Sequence, residues 1–197
     1  MKILKLKTFM KLYKKELTTP LGNLIALASQ GELFLLDFSD SKGLTAEIKQ
    51  VINSSKGLLV QGESNLFPLL EEELSLYFQG DLQQFSIPLH LIGTDFQKRV
   101  WQELLKIPYG NYISYQEQAQ RMGQPKAVRA VAGANGHNKI VILIPCHRVV
   151  GSNGTLTGYS SGLWRKQKLL EIEHISCDEK YRLCQKEILT KPASPIY

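Results

Sequence analysis

The residues of this chain best suited to covalent chemistry are Pro145-Cys146-His147. A thiol attacks as its thiolate, and at an ordinary pKa near ~8.5 only a small fraction is ionised at neutral pH. His147 could act as the missing base. The apolar run Val141-Ile-Leu-Ile144 reads as a buried strand leading into Pro145. On a strand, adjacent side chains point to opposite faces, so contact between Cys146 and His147 needs a turn or a bridging water, and Pro145 favours an irregular path. A lone cysteine is more often a small buried hydrophobe, so the site needs partners. Asn138 is a candidate to orient it, and Glu173 could hold the imidazole as a carboxylate holds histidine in a catalytic triad.

These residues must be placed by the elements around them. A capping box at Thr94-Asp-Phe-Gln97 opens a helix with Phe96, Val100, Trp101, Leu104 and Leu105 on its apolar face, stopped by Pro108 and Gly110. Ser114-Tyr-Gln-Glu117 reads as a second capping box, opening a short helix that closes at Met122-Gly123. Pro125 suits the first position of the next helix, which runs to about Asn135 and is stopped by Gly136. Two short helices around a tight glycine turn form either a helix-turn-helix or a plain helical hairpin. In the second helix Val128 and Val131 face a core, while Arg129, Ala132, Gly133 and Gly136 face elsewhere. A mid-helix glycine costs roughly 1 kcal/mol against alanine. That cost makes sense where another molecule approaches the backbone; the plainer explanation is close packing on a neighbouring helix. A last helix is expected over Leu163–Glu173.

The N-terminal half has its own pattern. Leu12–Leu17, Asn23–Ala28 and Glu32–Asp37 read as strands, Leu44–Ile52 and Phe67–Phe78 as helices, and Phe85–Leu89 as a further strand. This is an α+β unit, with a junction around His90–Gly93.

The chain has 197 residues, 43% hydrophobic and 21% charged, enough for one large or two small domains with a real core. No apolar run approaches the length of a membrane span, and the lysine-interrupted N-terminus has no secretory signal pattern. The net charge of +6 favours a polyanionic partner. Three cysteines, Cys146, Cys177 and Cys184, with no Cys-x-x-Cys spacing, point to free thiols in a reducing compartment. The four histidines are scattered, so no structural zinc site is expected.

Ile144-Pro-Cys-His-Arg-Val149 resembles the active-site signature of the O6-alkylguanine-DNA alkyltransferases, also called methylated-DNA–protein-cysteine methyltransferases. Phe96 to Trp101, Gly110-Asn-Tyr-Ile-Ser-Tyr115, Arg129-Ala-Val-Ala-Gly-Ala134, Asn138, Gly158-Tyr159 and Leu169-Leu170 to Glu173 fall at the spacing of that family. The similarity is strong over residues 94–174 and weaker over Thr19–Asp37, where Thr19-Pro-Leu-Gly22 and Leu36-Asp-Phe-Ser-Asp40 resemble its N-terminal domain.

The resemblance implies an α+β protein of two domains: residues 1–92 as a ribonuclease H-like sheet-and-helix domain and residues 93–174 as a mostly helical domain with a winged helix-turn-helix. Residues 175–197 would be a tail extension. It implies DNA repair by irreversible, single-turnover transfer of an alkyl group from O6-alkylguanine, and from O4-alkylthymine, in double-stranded DNA to Cys146. His147 would act through a water with Glu173 behind it, Asn138 would brace the turn, and Tyr115 would protonate the departing base and crowd the backbone so that the nucleotide rotates out. Groups near Cys146, Val149, Tyr159 and Ser160 would form the base pocket. Arg129 would fill the gap in the duplex, Ala130 and Gly133 would enter the minor groove, and Gln116, Gln124 and Ser152 would contact the DNA backbone. No cofactor or metal, no membrane, a monomer, and a cytoplasmic location (nuclear in a eukaryote) are expected.

The chain departs from the family pattern at Lys139, where proline is usual and whose replacement could loosen the hinge, and at Ser161, where a glycine is usual and a serine could narrow the pocket. Three other functions fit parts of the pattern: a binder of damaged DNA without transfer, a cysteine hydrolase needing an oxyanion hole and multiple turnover, and a helix-turn-helix regulator. The basic tail residues Lys180, Arg182, Lys186 and Lys191 fit a regulator or a solvated extension.

Overall fold

The computed structural model describes residues 9–183; Cys184, Lys186 and Lys191 lie outside them. The first half is a four-stranded sheet with two helices. Strands β1 (Met10–Leu17), β2 (Leu24–Ala28) and β3 (Leu33–Phe38) form an antiparallel meander, and β4 (Gly57–Leu59) returns parallel to β1, giving the order β3-β2-β1-β4. Helices α1 (Leu44–Ser55) and α2 (Phe67–Gln79) complete this half. Every residue of β2 and β3 is buried. One core cluster joins Ile25, Leu27 and Leu35 to Leu44 and Val51 of α1. The other joins Leu24, Ala26, Leu36 and Phe38 to Phe67, Leu70, Leu74 and Tyr77 of α2. A strand covered on both faces reads as a continuous apolar run, as Leu33-Phe-Leu-Leu36 does.

The strand expected over Phe85–Leu89 does not form. That segment makes a single parallel bridge, Leu33 to Leu89, with Leu33 N–H donating to Pro88 O at 2.9 Å and His90 N–H to Leu33 O at 2.8 Å. Pro88 has no N–H of its own to extend a ladder.

The second half consists of α3 (Asp95–Leu104), β5 (Ile113–Ser114), α4 (Tyr115–Arg121), α5 (Val128–Gly136), β6 (Val149–Val150) and α6 (Leu163–Ile172). Thr94 and Gln97 make the full capping box of α3. Ser114 does cap α4, accepting from Glu117 N–H at 3.0 Å. The reciprocal half is missing, because the Glu117 carboxylate turns to Arg121 at 2.7 Å, the i,i+4 partner on the same helix. Helix α5 begins at Val128 rather than Pro125. Residues 124–127 form a turn, closed by Ala127 N–H to Gln124 O at 2.9 Å. Helix α5 packs on α3 through Val131 and Ala134, and the Trp101 indole donates to Ala134 O at 2.8 Å. A short parallel pairing of β5 with β6 ties the start of α4 to the residues just after Cys146.

The main core runs without interruption from Leu17, Leu36 and Tyr77 through Val100, Val131, Cys146 and Leu169. Backbone pairing also crosses between the halves: Leu36 N–H donates to Lys139 O and Val141 N–H to Leu36 O, both at 2.8 Å. Residues 175–183 are not a free extension. Ile175 is buried with Val150, Leu156 and Leu170, and Leu156 N–H donates to Tyr181 O at 2.7 Å. Among the described residues no helix is long and apolar enough to cross a membrane, and no group of three or more His, Cys, Asp or Glu is placed to hold a metal ion.

Candidate active site

The segment before Cys146 is a set of turns, not the expected buried strand. Asn138 accounts for this: its carbonyl accepts from Ile140 N–H at 3.0 Å, and its amide donates to Ile144 O at 2.8 Å. The chain is thereby folded back within a few residues, and Ile142 is forced to φ +72°, a costly conformation for a β-branched residue. The same Asn138 amide donates to Cys146 Sγ at 3.2 Å. Cys146 then opens a 3-10 turn, Cys146–Arg148. The turn removes the strand alternation that would have set Cys146 and His147 on opposite faces.

Cys146 is 7% exposed. Burial pushes its thiol pKa up, against the Asn138 hydrogen bond and the Lys166 ammonium, while the Asp37 carboxylate adds to the rise. The resting group is therefore a thiol, and attack requires a base. His147 is fully buried, and burial lowers its pKa despite Glu173, so the imidazole is neutral. Its Nε2 lies 2.8 Å from Glu173 Oε1. An ionised carboxylate only accepts, so Nε2 carries the proton and Nδ1 presents a bare lone pair. Nδ1 is buried and has no hydrogen-bond partner in the protein.

Glu173 is the C-cap of α6 rather than its last helical residue. Burial alone would raise its pKa, yet the His147 and Arg148 interactions outweigh burial and bring it to about 2. Because His147 is neutral, the lasting cation is Arg148, whose Nε lies 2.8 Å from Oε2 and Nη2 2.9 Å from Oε1. The Tyr77 hydroxyl donates to Oε1 at 2.8 Å and Gly110 N–H to Oε2 at 3.3 Å. Sequence reasoning missed Arg148 and Tyr77 as partners. The signal for Arg148 was a cation inside an apolar run; Tyr77 looked like any aromatic on the apolar face of α2.

The loop 157–162 is held against the start of α4. The Tyr115 hydroxyl donates to Thr157 O at 3.1 Å and Gly158 O at 3.4 Å. Gly158 has φ +58°, and a Cβ there would sit 3.2 Å from that hydroxyl, so glycine meets both demands. Burial, with the charge of Cys146 adding, pushes Tyr115 up to about 12. Lys166, also missed from sequence, is fully buried and donates to Val149 O at 2.5 Å and Thr157 O at 2.7 Å, tying the residue after the reactive turn to the loop. Val149 is buried, Tyr159 is half-buried with its hydroxyl unpartnered, and Ser160 is exposed. A separate cavity of about 580 Å³ reaches Pro145 and Arg148 but not Cys146.

The outer face of α5 carries Arg129, Ala130 and Gly133, all exposed. Nothing lies within 4 Å of where a Cβ on Gly133 would be, so packing against another helix does not account for this glycine. Gln116 is half-buried and donates to Pro125 O at 3.1 Å; Gln124 is half-buried in the turn, and Ser152 is exposed. Lys139 is buried, its carbonyl held by β3 and its ammonium 5.8 Å from the Trp101 ring.

Comparison with known proteins places this arrangement. Residues 95–175 match the family model described as 6-O-methylguanine DNA methyltransferase, DNA binding domain. The methylated-DNA–protein-cysteine methyltransferase of Mycobacterium tuberculosis is 56% identical over 102 residues, 52% of this chain and 62% of that protein; the match thus spans under two thirds of that relative. The Methanosarcina barkeri protein of the same name is 40% identical over 162 residues, 82% of this chain and 97% of that one. The crystal structure of the Mycobacterium tuberculosis O6-methylguanine methyltransferase superposes with a TM-score of 0.70 at 39% identity, covering 82% of this chain and 92% of that one. A structure of Mycobacterium tuberculosis OGT in complex with DNA gives 0.69 at 40% identity, covering 83% and 92%. The chain belongs to the methylated-DNA–protein-cysteine methyltransferase family.

Proposed function

We propose that this protein repairs double-stranded DNA by moving the alkyl group of O6-alkylguanine, and of O4-alkylthymine, onto Cys146 once per molecule. The observation that carries the proposal is the proton path behind the sulfur: a neutral His147 whose Nε2 is fixed by Glu173 and whose Nδ1 is left bare. In this reading His147 takes the thiol proton through a water. The thiolate attacks the alkyl carbon, an S–C bond forms as the C–O bond breaks, and the electron pair stays with the base. The thiol proton ends on the guanine, so the sum is thiol plus alkylguanine to thioether plus guanine. With its raised pKa, Tyr115 keeps its proton until negative charge develops on the base and then gives it to the base; the proton taken from the thiol restores the phenol, so the sum is unchanged.

The thioether offers no route back to the thiol, which makes the protein a consumed reagent. The target atom is buried in the base stack, so the nucleotide must be extruded at a cost of a few kcal/mol. Arg129, exposed on α5, would fill the vacated space, while the bare surface at Gly133 and Ala130 lets the helix enter the minor groove. Tyr115, Gln116, Gln124 and Ser152 would hold the DNA backbone, and Val149, Tyr159 and Ser160 would line the base pocket. The functional unit would be a monomer made of residues 1–92 and 93–174, working in the cytoplasm or, in a eukaryote, the nucleus.

Intact-mass measurement after incubation with duplex DNA containing O6-methylguanine tests this. One methyl group on Cys146, never exceeding one per chain, is expected. Cys146→Ser should take up none and still bind the duplex. Conversion of more than one equivalent of O6-methylguanine per chain, or tight binding with no mass gain in the unaltered chain, would overturn the proposal.

A further inference from the structure

Past the segment shared with the family model, the chain turns back and pairs with residues 154–156. Asp178 N–H donates to Arg182 O at 2.8 Å and Tyr181 N–H to Asp178 O at 3.1 Å, closing a tight turn. The Asp178 carboxylate accepts from the amides of Lys180 and Arg182 at 2.9 and 2.8 Å, which fixes the turn from inside. The returning arm runs antiparallel to residues 154–156: Leu156 N–H donates to Tyr181 O at 2.7 Å and Leu183 N–H to Gly154 O at 3.0 Å. Between these bonds Thr155 and Arg182 stand directly opposite one another, the arrangement in which paired side chains lie closest and share a face. Alternation decides which face. Leu156, Tyr181 and Leu183 pack with Val150, Leu170 and Ile175, so Thr155 and Arg182 point outward. At one end of this ribbon Gly151 N–H donates to Thr155 O at 2.8 Å, and the turn so closed leaves Ser152 exposed. At the other end Thr157 is exposed, and its carbonyl accepts from the Tyr115 hydroxyl.

Lys180 and Arg182 are exposed, and among the described residues no ion pair or side-chain hydrogen bond ties either of them down. With the Asp178 carboxylate spent on amides, Glu179 alone on this turn stands against the two cations. We propose that residues 178–183 add a second DNA-contacting strand beside the reactive site, with Lys180 and Arg182 binding phosphates of the duplex that flank the altered base. The inference rests on the proposed function for seating a duplex at Tyr115, and not on the transfer step. Cations and hydroxyls are the groups that contact phosphate oxygens, and this ribbon presents both: Arg182 beside Thr155, with Ser152 and Thr157 at its ends. Backbone pairing adds to their effect, because a cation already held on a strand has less freedom left to lose on binding than one on a loose tail.

The test is equilibrium binding of the full chain to an unmodified DNA duplex, measured from about 50 to about 200 mM salt, where each phosphate contact adds about 0.9 to the slope of log affinity against log salt. Arg182→Gln and Lys180→Gln should each lower the slope by about 0.9, and together by about 1.8, so that the affinity lost across this range shrinks about threefold per cation. Arg182→Lys should keep the slope, since a phosphate contact needs the charge more than the guanidinium fork. Lys49→Gln, which removes an exposed cation from α1, should leave it unchanged. Unaltered slopes in both glutamine variants at the ribbon would overturn the proposal. So would an equal fall with Lys49→Gln, which would assign the effect to net charge, or a fall with Arg182→Lys as large as with Arg182→Gln, which would assign it to the fold of the turn. Intact mass after incubation with an O6-methylguanine duplex reads the transfer separately. If the unaltered chain gains no methyl while the slopes fall as expected, the transfer reaction is wrong and the ribbon stands; if the unaltered chain does not bind duplex at all, both are wrong.

Discussion

The relay behind Cys146 and the outer face of α5 use opposite means. In the relay, every oxygen of a buried carboxylate is taken: Glu173 accepts from Tyr77, Arg148 and Gly110 and contacts His147. Its worth lies in contacts made. The face of α5 offers Arg129, Ala130 and Gly133 to open space. Its worth lies in contacts left unmade, ready for another molecule. On the proposed function, a site that moves protons has to be fully determined before substrate arrives, whereas a surface meant to meet a narrow groove has to stay small. Damage to the first should therefore show as lost stability and lost chemistry together, and damage to the second should separate them.

The largest effect is expected from Glu173→Ala. It leaves Arg148 buried without its anion, and breaking such a pair costs about 3 to 5 kcal/mol. Denaturant unfolding should show that loss, and transfer should fall with it. Glu173→Ala with unchanged stability would mean that the relay is not the keystone described. A moderate effect is expected from pH. The Glu173 pKa lies at about 2 in the folded chain against an ordinary 4.5, so its contribution is present above about pH 4.5 and disappears as pH falls through about 2. The lowered pKa of His147 works in the same direction, since a neutral buried imidazole must gain charge in acid. Unfolding midpoints measured across this range should decline toward acid, and Glu173→Gln should flatten the decline below pH 4.5. The smallest effect belongs to α5. Gly133→Ala meets no neighbour within 4 Å, so the folded chain should gain about 1 kcal/mol or slightly less. If the face enters a groove, the same methyl should weaken duplex binding by a few-fold to about tenfold, the order of a modest steric misfit. Improved stability with unaltered binding would remove α5 from the interface.

Much of this was legible because it was local. The Thr94 capping box and the helix over Phe67–Phe78 follow from short-range preference, and both appear, the helix running one residue further to Gln79. What failed was decided by single residues that override a pattern. Pro88 limited an expected strand to one bridge; Glu117 preferred Arg121 to its cap; and Val141–Ile144, apolar enough for a strand, was bent into turns by the side chain of Asn138. Asn138, His147 and Glu173 were legible as candidates; the structure sets Asn138 against Cys146 Sγ and Glu173 against His147, the next residue along the chain. Arg148, Tyr77 and Lys166 were not legible. A buried lysine or arginine is rare unless paired, and nothing in the order of residues shows that Lys166 will meet Val149 O and Thr157 O.

The two hydrogen bonds of Leu36 to Lys139 and Val141 limit how this molecule can be recombined. A fragment beginning after the His90–Gly93 junction would leave that amide and carbonyl without their partners and strip the cover from Ile140, at the foot of the very turns that aim the sulfur. A chimera taking its first half from a relative has to deliver a third strand in the same register, or the donor's sheet and the recipient's thiol will not be on speaking terms.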